Sequence, residues 1–200
     1  MISVELTVAL IAFYFVMFVT PGPNNIMLTT SGIKYGFKKT IPHILGIPLG
    51  HFLQIFLVSL GLGTLFQTYP FIQEILKVAG CLYLFFLAYK IFGVLSIKKN
   101  TKETTRPLKF YEASLFQILN PKAWVVAITA VSVFFPKNEH FITGIFYLAS
   151  IAFIVCLPSI SVWALFGSGI RSFVSNSRVK KIIEIVMAFL LLATGVMILI

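Results

Sequence analysis

Long apolar runs separated by short polar connections dominate the chain. The runs cover about residues 5–30, 41–66, 71–95, 113–135, 141–168 and 182–200. A helix needs roughly 20 apolar residues to cross the hydrocarbon core of a bilayer, and the runs are of that size. They are continuous rather than alternating with period two, which predicts helices instead of barrel strands. The pattern therefore predicts an all-α integral membrane protein, with six transmembrane helices in a single transmembrane domain over residues 1–200. The first run lacks a basic leader and a small-residue cleavage site, so it is expected to be a span and not a removed signal peptide.

The apolar pattern is interrupted twice in a corresponding way. Pro21-Gly22-Pro23-Asn24 breaks the first span and Asn120-Pro121-Lys122 breaks the fourth. The second span of each half also carries a proline within it, Pro48 and Pro158. The third spans can be laid over each other with Gly80 against Ala188 and Leu84 against Leu192. Two three-helix repeats are expected, about residues 1–97 and 104–200. Three spans is an odd number, so the second copy must be inverted in the membrane. Inverted repeats with helices broken at matching places are a transporter signature, and the breaks point at the substrate site.

Proline has no N–H and clashes with the preceding turn, so Pro21 and Pro23 should free the carbonyls of Met17 and Val19 from helical partners. Thr20 and Gly22, each before a proline, favour extended backbone. Broken backbone is tolerated at membrane depth only where it is buried in protein or lines a cavity. Asn120-Pro121 reads as a capping residue and a first helical position, the start of a new half-helix. Such an N-terminus suits a carboxylate, and Lys122 adds a full charge beside it. The freed carbonyls of Met17 and Val19 would suit an ammonium, and Asn24, Asn25 and Asn120 supply neutral donors and acceptors. Together Pro21, Gly22, Pro23, Asn24, Asn25, Asn120, Pro121 and Lys122 form a candidate site for a zwitterionic amino acid. The competing interpretation is a proline kink in a packed helix, with the asparagines as interhelical glue.

Composition fits this picture. Of 200 residues, 58% are hydrophobic and 11% charged, and the mean hydropathy is +0.98. The net charge of +10 would point to nucleic acid in a soluble protein, but its distribution excludes that. Lys34, Lys38 and Lys39 follow span 1. Lys98, Lys99, Lys102, Arg106 and Lys109 lie between spans 3 and 4, and Arg171, Arg178, Lys180 and Lys181 between spans 5 and 6. The alternate connections hold only Lys77 and Lys137. This is the positive-inside bias, with both termini outside. Cys81 and Cys156 fall within apolar spans without a CxxC or metal-binding spacing, so buried inert thiols are expected.

Several segments together resemble the LysE/RhtB family of bacterial amino-acid exporters. They are Phe18-Val-Thr-Pro-Gly-Pro-Asn24, Gly32 with Gly36, Gly46-xxx-Gly50, Lys77-Val-Ala-Gly80-Cys-Leu-Tyr83-Leu84, and Phe116-xxx-Asn120-Pro121-Lys122-Ala123. The resemblance spans nearly the whole chain. It implies a six-helix, multi-pass carrier of the bacterial inner membrane that exports amino acids or related metabolites, driven by the proton gradient. Members often carry an acidic or small polar residue just after the second glycine of the GxxxG. This chain has His51 there and no aspartate anywhere. Intramembrane ionisable groups are functional candidates, and histidine titrates near neutrality, so His51 is the candidate for proton coupling. The alternative for His51 is a neutral ring hydrogen-bonded to Gln54.

The remaining groups carry less. Gly46 and Gly50 are expected to let span 2 pack closely on another helix. His43 lies eight residues before His51, about 12 Å along a helix, too far to share a metal ion. Glu112 precedes span 4 within reach of a cation, and Glu184 is expected in a solvated pair with Lys180 and Lys181. An enzyme is disfavoured because no HExxH is present and aspartate chemistry is impossible. A thiol carrier would need cysteines at the breaks. A metal-ion exporter would need intramembrane carboxylates, and a structural subunit would need no breaks. The expected partners are an amino-acid substrate, protons and the lipid bilayer, with a second copy of the chain compatible; no cofactor, metal or nucleic acid is expected.

Overall fold

A computed structural model describes residues 2–62, 65, 68–91, 106–136 and 140–199, and among these all regular structure is helical. Lys98, Lys99, Lys102 and Lys137, and the side chains of Lys77, Tyr83 and Lys180, lie outside the described residues. Helix α1 (Val4–Val19) begins at Ser3, whose Oγ accepts from Leu6 N at 3.1 Å. It ends at Thr20, and α2 (Pro23–Tyr35) restarts with Pro23 at its first turn. Gly36 makes the next corner at φ 83°, a left-handed conformation that glycine adopts without a Cβ penalty. Then follow α3 (Phe37–Leu57), which continues as a π-helical turn over Val58–Leu62, and α4 (Pro70–Ile91). The second half holds α5 (Phe110–Leu119), α6 (Pro121–Phe134) and α7 (Phe141–Gly169). After a 3₁₀ turn over Ile170–Ser175, α8 (Ser177–Leu199) completes it.

The two expected breaks are present as sharp bends. The axes of α1 and α2 differ by 54°, and those of α5 and α6 by 77°. Among the described residues, Phe37–Gly61 and Phe141–Phe173 are each long and apolar enough to cross a membrane. Each bent pair also passes when taken as one span, which makes up to four. Pro48 and Pro158 sit inside α3 and α7, which run on through them.

The helices pair across the two halves. α2 packs along α7, α3 along α5, and α4 along α8. Small residues set these approaches. A Cβ on Gly46 would lie 2.2 Å from Phe110 O, and one on Gly50 would lie 2.3 Å from Ser114 O, so α3 touches the backbone of α5 at both glycines. Gly32 and Gly167 do the same between α2 and α7, against Ala164 O and Thr29 O. Without a hydrophobic drive between helices in lipid, such contact supplies packing energy. The chain is apolar outside as well as inside: Val8, Phe15, Phe86, Ile154 and Phe189 are exposed. Apolar exposure on this scale marks a surface that meets lipid. Arg171 Nη1 lies 3.3 Å from where a Gly36 Cβ would sit, which brings the basic end of α7 to the α2–α3 corner near Lys34, Lys38 and Lys39.

Glu112, expected within reach of a cation, takes a two-pronged contact from Arg106, Nη1 to Oε2 and Nη2 to Oε1 at 2.7 Å each, and accepts from Lys109 N at 2.8 Å. It closes the first turn of α5. Glu184 is buried, not solvated beside Lys180 and Lys181, because its face of α8 turns toward the protein. Cys81 and Cys156 are both buried and neither is in a disulfide; Cys81 Sγ lies 3.5 Å from Gly195 O, while Cys156 packs with Leu28 and Ile160.

Replacing Gly50 with leucine would force a side chain into the α5 backbone. An overpacked contact of this kind costs about 1–3 kcal/mol. Gly50→Leu is expected to lower the thermal midpoint of the protein in detergent. An unchanged midpoint would mean that α3 and α5 are not held at this distance.

Candidate functional site

Both breaks open onto one cavity of about 30 Å³. A single ordered water needs about 10–15 Å³, so the cavity has room for two or three waters and not for an amino acid. The first turns of α2 and α6 line it with Gly22, Pro23, Asn24, Asn25, Lys122 and Ala123; Met17, Phe18, His51, Gln117 and Asn120 close it. The lining thus brings together Gly22, Pro23, Asn24, Asn25, Asn120 and Lys122, from two segments about 100 residues apart; Pro21 joins them through its carbonyl, and Pro121 is not in the lining. Neither helix start is capped by a side chain: Gly22 has none, and Asn120 makes no cap hydrogen bond. The expectation that Asn120 caps α6 is corrected. Its Nδ2 turns instead to Gln117 Oε1 at 3.4 Å, and its Oδ1 is buried without a partner.

The freed carbonyls have in-chain donors, which corrects their assignment to an ammonium ligand. Thr20 Oγ1 donates to Met17 O at 3.2 Å, and Trp163 Nε1 donates to Val19 O at 3.1 Å. Asn25 Nδ2 donates to Phe18 O and Thr20 O, both at 2.8 Å, so Asn25 pins the break. Lys122 also departs from expectation. It does not stay at its own helix start but crosses to the first break. Its Nζ donates to Thr20 Oγ1 at 2.7 Å, Thr20 O at 2.9 Å and Pro21 O at 3.1 Å. Gly22 makes room for the lysine stem, since a Cβ there would lie 3.0 Å from Lys122 Cδ.

Gln117 ties the two halves together and was not singled out by the sequence. Asn24 Nδ2 donates to Gln117 Oε1 at 2.9 Å and Gln117 Nε2 returns a bond to Asn24 Oδ1 at 3.1 Å. Gln117 Nε2 also donates to Ala113 O at 2.9 Å, and Gln117 O accepts from Gln54 Nε2 at 2.8 Å. Because that carbonyl demands a donor, Gln54 must turn Oε1 toward His51 Nδ1, 3.3 Å away. The network therefore assigns the proton of His51 to Nδ1 and leaves Nε2 a bare acceptor. His51 is 2% exposed and Nε2 has no partner. Phe18 and Tyr14 make T-shaped ring contacts with the imidazole, at 5.4 and 6.1 Å between centroids. A signal for Gln117 did exist: it lies three residues before Asn120, one helical turn upstream of the break.

Two unpartnered acceptors, an ammonium and two uncapped helix starts around one cavity make a polar site inside an apolar helical protein. With the broken pairs and the lipid-facing surface, they define a multi-pass membrane translocator. The chain belongs to the LysE type translocator family, whose model matches residues 15–200. Among curated proteins, the chain is 34% identical over 116 residues to a cysteine/O-acetylserine efflux protein of Escherichia coli O157:H7. It is 33% identical over 116 residues to the protein of that name from Escherichia coli strain K12. Each match covers 58% of this chain, and the chain spans 58% of the length of these relatives. No solved structure matches the chain.

Removing the hub tests the network. Gln117→Leu leaves the Asn24 amide and Asn120 Nδ2 without their side-chain partner, while the backbone carbonyl that serves Gln54 remains, and a buried polar group left unpaired costs about 1–3 kcal/mol. Gln117→Leu is expected to melt at lower temperature than the wild type, and combining it with Asn24→Leu should cost less than the two changes summed. Strict additivity would show that the amide pair contributes nothing.

Proposed function

We propose that the chain is a secondary transporter that exports amino acids or close derivatives from the cytoplasm by alternating access around the cavity between the two breaks. The observation that carries this reading is the convergence of both helix breaks on one polar cavity with unsatisfied acceptors and uncapped helix starts. An amino acid carries a carboxylate for the helix starts and an ammonium for the acceptors. The names of the Escherichia coli relatives favour zwitterions of the size of cysteine and O-acetylserine, and favour efflux as the direction. The small cavity corresponds to a closed conformation, and the halves must part to admit substrate.

Six spans in two inverted repeats, 1–97 and 104–200, agree with the cross-packing. Each broken pair lies against the unbroken helix of the other half, α1 and α2 on α7, α5 and α6 on α3, and the third helices lie on each other. Such packing lets one half rock on the other about the breaks. The basic corner formed by Lys34, Lys38, Lys39 and Arg171 would face the cytoplasm of a bacterial inner membrane, with both termini outside. His51 is the proposed proton acceptor, through Nε2, facing Tyr14, Phe18 and Gln54 with Lys122 in the same cavity.

Proteoliposomes loaded with a labelled amino-acid panel that includes cysteine and O-acetylserine test the reading directly. Release of a few panel members under an imposed pH gradient is expected; no release from folded protein would remove it. Pro121→Ala, which restores an N–H and lets α5 continue into α6, is expected to reduce export while protein still reaches the membrane. Unchanged export would remove the role of the break. His51→Ala is expected to flatten the dependence of export on pH. An intact pH profile would take the proton from His51.

A further inference from the structure

The geometry points to a second role for Lys122: its ammonium is a tethered occupant of the substrate's own ammonium seat, and it latches the two halves shut until a zwitterion replaces it. This rests on the export reading above and deepens it. The seat is the trio Thr20 Oγ1, Thr20 O and Pro21 O, all within 3.1 Å of Lys122 Nζ. Thr20 Oγ1 spends its proton on Met17 O, so it turns a lone pair toward the ammonium. Three neutral oxygens converging on one N–H₃ group are the ligand set a primary ammonium takes, whether it arrives on a lysine or on an amino acid. The oxygens belong to the first break and the lysine to the second, so these three bonds cross the interface that must part.

The electrostatics make the exchange selective. Lys122 is the one charged side chain in the cavity lining among the described residues, and the lining holds no carboxylate among them. A buried charge without a counter-ion is costly. A substrate carboxylate supplies that counter-ion and draws Lys122 off the first break. Of the oxygens it leaves, Thr20 Oγ1 loses its only donor, Thr20 O keeps Asn25 Nδ2, and Pro21 O keeps a long contact from Thr194 Oγ1 at 3.5 Å, so an arriving ammonium restores the donors the seat has lost. Only a molecule with both groups satisfies both demands. A carboxylate alone leaves Thr20 Oγ1 without a donor and both carbonyls one donor short. An ammonium alone must evict Lys122 and leave two positive charges in one small cavity. The unpartnered Asn120 Oδ1 lies in the same lining and offers a further acceptor once the cavity widens. The latch therefore couples recognition of a zwitterion to release of the halves.

Three thiols that share a side chain separate the cases: L-cysteine has both groups, N-acetyl-L-cysteine only the carboxylate, cysteamine only the ammonium. The readout is backbone hydrogen–deuterium exchange over residues 17–26 and 117–125 of the whole chain in detergent, beside efflux from proteoliposomes. L-cysteine is expected to raise exchange at both breaks of the wild type, with the other two at least about tenfold less potent. Lys122→Met is expected to show raised exchange at both breaks without ligand, and Thr20→Val, which removes one oxygen of the seat, a smaller rise in the same direction. Equal exchange in wild type and both variants overturns the latch. So does equal potency of the three thiols on the wild type, an arm that stands even if Lys122→Met does not fold. If the variants loosen the breaks while wild-type liposomes release no amino acid of the panel, the latch holds and the export reading falls. If wild-type liposomes export amino acids while the variants exchange like the wild type, export holds and the latch falls.

Discussion

Everything in this molecule depends on how it satisfies a backbone that stops being helical inside an apolar bundle. Lipid offers no hydrogen bonds, so each polar group freed at a break must find a partner in the protein or line a cavity. At the first break the donors come from far along the chain: Trp163 for Val19 O, Asn25 for Phe18 O and Thr20 O, and Lys122 for Thr20 O and Pro21 O. At the second, Trp124 Nε1 serves Ile118 O and Gln54 Nε2 serves Gln117 O. These demands decide which helices must be neighbours. α7 has to lie against the first break to deliver its indole, and α3 against the second to deliver its amide.

Close helix packing makes that delivery possible. Gly32, Gly46, Gly50 and Gly167 let backbones approach to contact, so short side chains such as Asn24 and Gln54 reach across. The outcome is a polar centre of amides, an imidazole and an ammonium, wrapped in helices whose outward faces are phenylalanine, leucine, isoleucine and valine. At Gln117 the network closes on itself and ties the two breaks together. At His51 Nε2 and Asn120 Oδ1 it stops short, and both residues border the cavity.

Such a centre is also easy to rearrange. Neutral hydrogen bonds between amides and carbonyls can be traded for bonds to a polar ligand at modest net cost, because each is worth only about 1 kcal/mol when its partner is replaced and not lost. A membrane carrier needs that property, since its two halves have to separate and rejoin around the substrate.

The sequence by itself determined the helical class, the membrane setting and the positions of both breaks, because these follow from local rules. A run of apolar residues near membrane thickness leaves few choices of fold, and a proline removes an N–H wherever it stands. It also placed His51 next to Gln54, three residues on along one helix. Tertiary structure alone decided who serves the breaks. Asn120 looked like a cap and became a partner of Gln117, Lys122 looked like a charge at its own helix start and crossed to Thr20, and Glu184 looked solvated and is buried. Each of these turns on bends of 54° and 77° and on which helix faces meet. Such contacts join residues up to 144 positions apart, a distance over which periodicity along the chain carries no information.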